Sequence, residues 1–330
     1  MEYAAIPGFS DRVPRLIMGS VAFSTMRAND RKAGTADSVA RLLDAYVERG
    51  GTAIETAHDY ARGETEGIIG DWLRARGLRH EMLMMTKGAQ HDQHLVRRVT
   101  PEAITVDLHE SLARLGVDTV DFFMLHRDDP ATPVASIIDC LNEHMVAGHI
   151  RAFGGSNWTH LRIDEAHRYA ARHGRQSFAA SSPNLALAVP MEPLWHDCLS
   201  VSSDAQALDW YRARQFPLIS WSSQARGFFS GRFSPDDKGD PDVVRVYYND
   251  ENWERLRRAR ELASRLACTA TQMALAWVLH QPFPTFALIG PRTVEELDDC
   301  IGALDIHLSP TDIRWLNLEH DESPVSPTSV

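Results

Sequence analysis

Two hydrophobic periods alternate along the chain, and they keep the same order from end to end. Short apolar runs of the kind that alternate or run continuously in buried strands appear as RLIMGS, TAIET, EMLMMTKG, VDFFMLH, IRAFGGSN, SFAASSPN, FPLISWSS and FALIG. Between them lie longer stretches with apolar residues every third or fourth position, such as TADSVARLLDAYVERGG, which Gly50 ends, and TPEAITVDLHESLARLG, where Thr100 is placed to cap and Pro101 to take the first helical position. Further helices are predicted near ETEGIIGDWLRARG, over 134–147, in THLRIDEAHRYAARHG and SSDAQALDWYRARQ, at 251–267 and 269–280, and in TVEELDDCIGAL. Eight strand-then-helix units predict a parallel sheet, because parallel neighbours need crossovers. The expected fold class is α/β, a closed (β/α)8 TIM barrel with long loops at its C-terminal face, and an open doubly wound sheet is the alternative. Residues 1–320 are expected to form one barrel domain and 321–330, DESPVSPTSV, an unstructured tail.

Composition narrows the class without changing the fold. A hydrophobic share of 44% with 24% charged residues is that of a soluble globular chain, and no apolar run reaches the roughly 18 residues of a membrane span. The N-terminus MEYAAIPGFSDRVPRL has no basic segment followed by an apolar one, so a cytoplasmic location is expected. A net charge of −11 argues against nucleic acid as a partner. Cys140, Cys198, Cys268 and Cys300 form no CxxC pair and read as reduced thiols. His91 and His94 in HDQH have helical i, i+3 spacing, but no third ligand is evident and no metal is expected. FGGSN has neither the GxGxxG nor the Walker spacing of a phosphate loop. Two connections, 187–203 and 228–250, exceed the length of simple links and leave the strand ends where barrels keep their chemistry.

In a barrel the ends of the second, third and fourth strands bring Glu55, Tyr60, Lys87 and His126 to one mouth. A tyrosine with an ordinary pKa of about 10 is a poor acid at neutral pH, but a nearby ammonium stabilises its phenolate, and a carboxylate behind the lysine keeps that ammonium charged. His126 would orient a carbonyl oxygen beside the phenol. Such a group of side chains protonates an oxygen as negative charge builds on it, which is what hydride addition to an aldehyde or ketone requires.

At these residues the chain resembles the aldo-keto reductase superfamily, over nearly its whole length. GGTAIETAHDYARGETEGIIG is similar to that family's second-strand segment, TKGA to its third-strand lysine, LHRDDP to its fourth-strand histidine and AFGGSNW to the segment that holds the nicotinamide carboxamide. WSSQARGFFSGRF resembles the segment that stacks on the nicotinamide and lines the pyrophosphate, and LIGPRTVEEL the one that grips the adenosine 2′-phosphate. The resemblance implies NADPH as cofactor and a small-molecule carbonyl substrate, with Tyr60 as general acid, Lys87 as its electrostatic partner, His126 orienting the substrate and Glu55 paired with Lys87. It further implies Ser156 and Asn157 on the carboxamide, Trp221 stacked on the ring, and Ser222, Gln224, Arg226, Gly227 and Arg232 along the phosphates. Gly290, Arg292 and Thr293 would meet the 2′-phosphate, since a guanidinium forks onto phosphate oxygens.

The departures from the family pattern are specific. Glu55 stands where an aspartate is usual and adds one methylene, so either the Lys87 pairing shifts or the backbone retreats. Ser181 or Ser182 replaces a glutamine that often makes a third carboxamide contact, and Glu296 and Cys300 replace the glutamine and asparagine that commonly hold the adenine. The pocket wall is expected from Phe23, Trp158, Trp195 and Tyr247 or Tyr248. With Arg127, Asp128 and Asp129, these aromatic faces would suit a keto sugar or other polyhydroxylated carbonyl compound. A cofactor-binding regulatory subunit and a non-redox barrel lyase or isomerase are the alternative functions, and the oligomeric state is not legible.

Overall fold

Eight parallel strands close on themselves in chain order: β3 (Leu16–Gly19), β4 (Ala53–Glu55), β5 (Leu83–Gly88), β6 (Val120–Leu125), β7 (Ile150–Ser156), β8 (Ala180–Ser182), β9 (Leu218–Ser220) and β10 (Thr285–Ile289), with β10 pairing back onto β3. The structure is a computed structural model and describes residues 1–9, 12–23 and 35–324. The expected closed barrel is therefore present. Its interior is filled by alternate strand residues, among them Ile17, Ala53, Met85, Phe122, Ala180, Ile219 and Phe286, which form a packed core. A short hairpin of β1 (Tyr3–Ala4) and β2 (Val13–Pro14), not expected from the pattern, closes one end of the barrel. Ile6 and Val13 are buried with the interior residues, and Phe9 meets Phe122 edge-on at 5.4 Å.

The intervening helices are α1 (Thr35–Glu48), α2 (Glu64–Arg76), α3 (Pro101–Leu115), α4 (Val134–Val146), α5 (His160–His173), α6 (Ala205–Arg214), α7 (Pro241–Tyr247), α8 (Asp250–Arg265), α9 (Ala270–Leu279), α10 (Val294–Gly302) and α11 (Pro310–Leu316). Their apolar faces pack on the outward strand residues in a second, larger cluster. Thr100 caps α3 as expected, its hydroxyl accepting from the Ala103 amide at 3.3 Å with Pro101 opening the helix.

The second long connection is not all irregular, since it contains a 3-10 turn over Ala225–Ser230 and the helix α7, which Asp240 caps through two backbone amides. Both were hidden because a seven-residue helix is too short to show a period. Of the tail expected to be unstructured, the first residues are docked. Arg258 reaches Asp321 at 3.1 Å, and Arg265 donates to the Pro324 carbonyl at 2.8 Å. Residues 325–330 lie outside the described residues. Among the described residues no single helix is long and apolar enough to cross a membrane.

Candidate active site

Beyond β4 the chain stays zipped to β5 for three more residues, with the Thr56 amide on the Met85 carbonyl and the His58 amide on that of Lys87, both at 2.8 Å. It then breaks into a 3-10 turn, Tyr60–Gly63, in which Ala61 and Arg62 take left-handed φ values of 49° and 56° and Gly63 one of 88°. Two non-glycine residues in that region store strain, so the turn needs holding from outside. Arg114 of α3 does this: its Nη1 donates to the His58 carbonyl at 2.9 Å and to Glu66 at 3.3 Å, and Glu66 accepts from the Thr86 hydroxyl at 2.7 Å. Gly63 is required twice over, by its φ and because a Cβ there would lie 2.5 Å from the Arg114 guanidinium.

The turn aims Tyr60 into the mouth, where the four expected residues meet. Lys87 Nζ donates to the Tyr60 hydroxyl at 2.8 Å and to the Thr56 carbonyl at 3.3 Å, and its ammonium is in direct contact with the Glu55 carboxylate. Glu55 also accepts from the Tyr60 hydroxyl at 3.3 Å, so the longer side chain reaches both partners. Lys87 and Glu55 are each about 3% exposed. The His126 ring stands edge-on to Tyr60 at 5.8 Å, and the His126 amide is fixed on the Gly88 carbonyl at 2.8 Å. His126 Nδ1 lies 3.1 Å from Asp59 Oδ1.

Burial sets the protonation states. It pushes the Tyr60 phenol above its ordinary value, an effect to which Asp59 adds and Arg127 opposes, so the hydroxyl holds its proton at neutral pH. It pushes His126 down to about 4, against the pull of Asp59, so the imidazole is neutral. Desolvation also drives the Lys87 ammonium well below its usual range, with repulsion from Arg127 behind it. Contact with the Glu55 carboxylate opposes that drift, which is the physical reason for an acid at this strand end.

The residues expected to hold a cofactor lie at the ends of β7 and β8 and in the segments that follow β7, β9 and β10. Ser156 Oγ donates to the Ser182 carbonyl at 2.9 Å, and Asn157, at φ 62°, is held in place by donating to the His126 carbonyl and accepting from the Leu199 amide, which leaves its Oδ1 one lone pair. The choice between the two serines is decided by strand alternation. Ser181 turns outward to the Tyr211 hydroxyl at 2.7 Å, whereas Ser182, in step with the interior residue Ala180, has a buried hydroxyl without a partner among the described residues. The Trp221 indole nitrogen is likewise buried and unpaired, and its ring sits 5.6 Å from that of Trp195. Ser222 and Arg226 both take left-handed φ, and Gly227, at φ 81°, leaves room for the Arg232 guanidinium, which donates to the Arg226 carbonyl. Arg226 faces Asp240 and Asp242 at 3.8 and 3.6 Å.

At the start of α10 the local structure explains two of the departures. Thr293 caps the helix, and Glu296 accepts from the Arg292 amide at 2.7 Å, a capping role that an acid fills well. Cys300 is buried and its thiol donates to Gln224 Oε1 at 3.6 Å. Gly290 sits in the turn that leads from β10 to this cap. The Arg292 side chain is exposed, and no group among the described residues pairs with its guanidinium.

Several expectations for the pocket wall need correction. Phe23 and Trp158 are each about 1% exposed; Phe23 is part of the outer core, and Trp158 donates to the Arg127 carbonyl at 3.1 Å with its ring on Phe178. They support the mouth from behind, because rings that size are drawn into the helix-to-strand packing. Asp128 is taken by Arg162, and Asp129 holds the following turn through the Ala131 amide. Trp195 is 45% exposed at the rim, as expected of a wall residue. Arg127 is buried at the mouth, bonded only to the carbonyls of His126 and His196, with no carboxylate partner among the described residues. Asp59 was missed; nothing in HDY distinguishes it from a surface acid until the fold sets it against His126. His91 approaches not His94 but His196 and Asp197, the latter at 3.6 Å, and Arg97 at 2.9 Å already neutralises that carboxylate.

Comparison with known proteins agrees with this geometry. The profile of the Aldo/keto reductase family matches residues 15–317. Similar curated sequences include "Uncharacterized oxidoreductase YrpG" of Bacillus subtilis (strain 168), 26% identical over 96% of this chain and 95% of that one. "Norsolorinic acid reductase stcV" of Emericella nidulans is 26% identical over 92% and 77%, and "Aldo-keto reductase yakc [NADP(+)]" of Schizosaccharomyces pombe 26% identical over 96% and 91%. Among solved structures, the thermostable aldo-keto reductase Tm1743 shares the fold, with a TM-score of 0.75 at 21% identity, covering 96% of this chain and 99% of the other. A match that spans the whole barrel, joined to a tyrosine, lysine, histidine and carboxylate meeting at its mouth, places this chain in the aldo/keto reductase family.

Proposed function

We propose that the protein reduces an aldehyde or ketone to an alcohol with NADPH, and that Tyr60 delivers the proton. The observation that carries this reading is the Tyr60 hydroxyl held 2.8 Å from a buried Lys87 ammonium that is itself backed by Glu55. NADPH supplies the hydride when bound. The protein's own part is electrostatic and positional: Tyr60 gives its proton to the carbonyl oxygen as charge grows there, and the phenolate left behind faces the ammonium. The neutral His126 ring, its Nδ1 turned to the Asp59 carboxylate, stands beside the same oxygen and sets the direction of the carbonyl. Buried Arg127 keeps the mouth positive while that charge develops.

The fit to a dinucleotide rests on groups left wanting a partner. Among the described residues the buried Ser182 hydroxyl and Trp221 indole nitrogen are unpaired and nothing pairs with the Arg292 guanidinium, where a 2′-phosphate would distinguish NADPH from NADH. We place the carboxamide on Ser156, Asn157 and Ser182, the ring against Trp221, and the phosphates along Ser222, Gln224, Arg226, Gly227 and Arg232. Gly290, Arg292 and Thr293 would take the 2′-phosphate, and Glu296 and Cys300 would lie nearest the adenine. For the substrate, a cavity of about 280 Å³ opens beside Trp221. Met191 and Pro190 supply apolar surface there, and Asn184, Glu192 and Ser200 supply polar groups, which supports a polyhydroxylated carbonyl compound such as a keto sugar.

Replacing Tyr60 by Phe is expected to lower turnover by about 10²–10⁴-fold while NADPH, followed by fluorescence titration, still binds; near-normal turnover would refute the acid assignment. Arg292→Ala should weaken NADPH at least about tenfold and leave NADH nearly untouched, and an equal loss for both cofactors would remove the 2′-phosphate role. Across a panel of carbonyl compounds we expect keto sugars to be turned over more efficiently than plain hydrophobic aldehydes; the opposite order excludes the substrate proposal.

The state of His126 also predicts a pH dependence. Its folded value of about 4 lies below the ordinary 6.5, so the unfolded chain takes up the proton first and stability is lost as pH falls from about 6.5 to 4. The loss is on the order of 3 kcal/mol. Asp128, pushed up to about 6 by burial against the pull of Arg162, acts with opposite sign in part of this window. Urea denaturation of wild type and His126→Gln at several pH values therefore isolates the term: the difference between them should shrink on acidification, and a constant difference would exclude a buried neutral imidazole.

A further inference from the structure

Away from the mouth, at the opposite end of the strands, three imidazoles converge. His109 comes from α3, His144 from the last turn of α4, and His149 from the turn that leads into β7. Their ring centroids are 4.7 Å (His109 to His149), 5.5 Å (His144 to His149) and 5.7 Å (His109 to His144) apart. One nitrogen of each lies within 4.8 Å of the other two. His144 Nδ1 and His149 Nδ1 are 3.2 Å apart, close to the separation of about 3.3 Å between two nitrogens bound tetrahedrally to zinc at 2.0–2.1 Å.

The surroundings prepare these nitrogens as ligands. The Cys140 thiol can only donate to the Pro101 carbonyl, which leaves its sulfur to accept from the Thr105 hydroxyl, 3.8 Å away. That hydroxyl oxygen, 3.0 Å from His144 Nε2, then accepts the Nε2 proton. Nδ1 of His144 is left with a lone pair aimed at His149, the arrangement by which an outer hydrogen bond sets the tautomer of a metal-binding imidazole. His149 is held by its backbone on both sides, its amide on the His144 carbonyl and its carbonyl on the Val120 amide, each at 3.0 Å. His109 and His149 also line an open cavity of about 680 Å³ that includes Asp118. The His91, His196 and Asp197 group differs here, with Arg97 on its carboxylate and Arg127 nearby.

We propose that His109, His144 and His149 form a binding site for a divalent transition metal ion, Zn²⁺ by its imidazole ligands, with the fourth position open to the cavity. The ion cross-links α3, α4 and the start of β7 at the N-terminal end of the barrel, where bound groups serve stability and not the chemistry at the other end. None of the three ligands belongs to the site at the mouth, so the proposal stands apart from the assigned reaction.

The test is calorimetric titration of Zn²⁺ into the metal-stripped, tag-free full chain, with thermal melts alongside. One ion should bind per chain with Kd at or below about 10 µM, and the midpoint of unfolding should rise by a few degrees, roughly, at a hundredfold excess over Kd. His109→Ala and His149→Ala, both reachable from solvent and checked for native circular dichroism, should each weaken binding at least about tenfold, and Thr105→Val should do so by about 10–100-fold. His91→Ala should leave the titration unchanged. Absence of binding, binding that survives His109→Ala and His149→Ala, or binding lost in His91→Ala overturns the proposal.

Discussion

A lysine ammonium buried at the barrel mouth is the constraint on which the site depends. Left alone in that setting it would shed its proton, since taking an isolated charge out of water costs several kcal/mol. Glu55 meets it directly, and the Tyr60 hydroxyl and Thr56 carbonyl take its remaining hydrogens. Each group is thereby fixed by the others: removing either charge would strand its partner, a change that typically costs about 3–5 kcal/mol in a buried pair. The phenol is caught between an ammonium that favours its anion and a burial that favours its neutral form, which is the condition of an acid that releases its proton only when a partner oxygen becomes basic.

Holding that pair in register falls to parts of the chain with no chemistry of their own. The turn that carries Tyr60 has a backbone its sequence would not choose, and Arg114, Glu66 and Thr86 hold it from the α3 side. The neighbouring strand does the same for His126 through a single backbone hydrogen bond to Gly88. The extra methylene of Glu55 is absorbed here with both contacts intact, so the substitution changes the reach of the acid but not the grouping.

The two ends of the barrel are put to different uses. At the C-terminal end, buried polar atoms on Ser182 and Trp221 and the charge of Arg292 have no partner among the described residues. At the N-terminal end the hairpin seals the interior with Phe9 and Ile6, and polar groups such as Thr105 and His144 are paired with one another.

The sequence by itself determined the eight-fold alternation, the closed parallel barrel and the grouping of Glu55, Tyr60, Lys87 and His126, because strand and helix periods are local and the ends of parallel strands must share one face. Only the tertiary structure decided matters that depend on side-chain direction and on what packs behind. Ser182 and not Ser181 faces the interior, Phe23 and Trp158 are drawn into the packing, and Asp128 is consumed by Arg162. Asp59 and the three-histidine group were invisible beforehand for the same reason: Asp59 is far along the chain from His126, as His109 is from His144 and His149, and each looks like an ordinary surface polar group. Only the closing of the barrel brings such atoms within bonding distance.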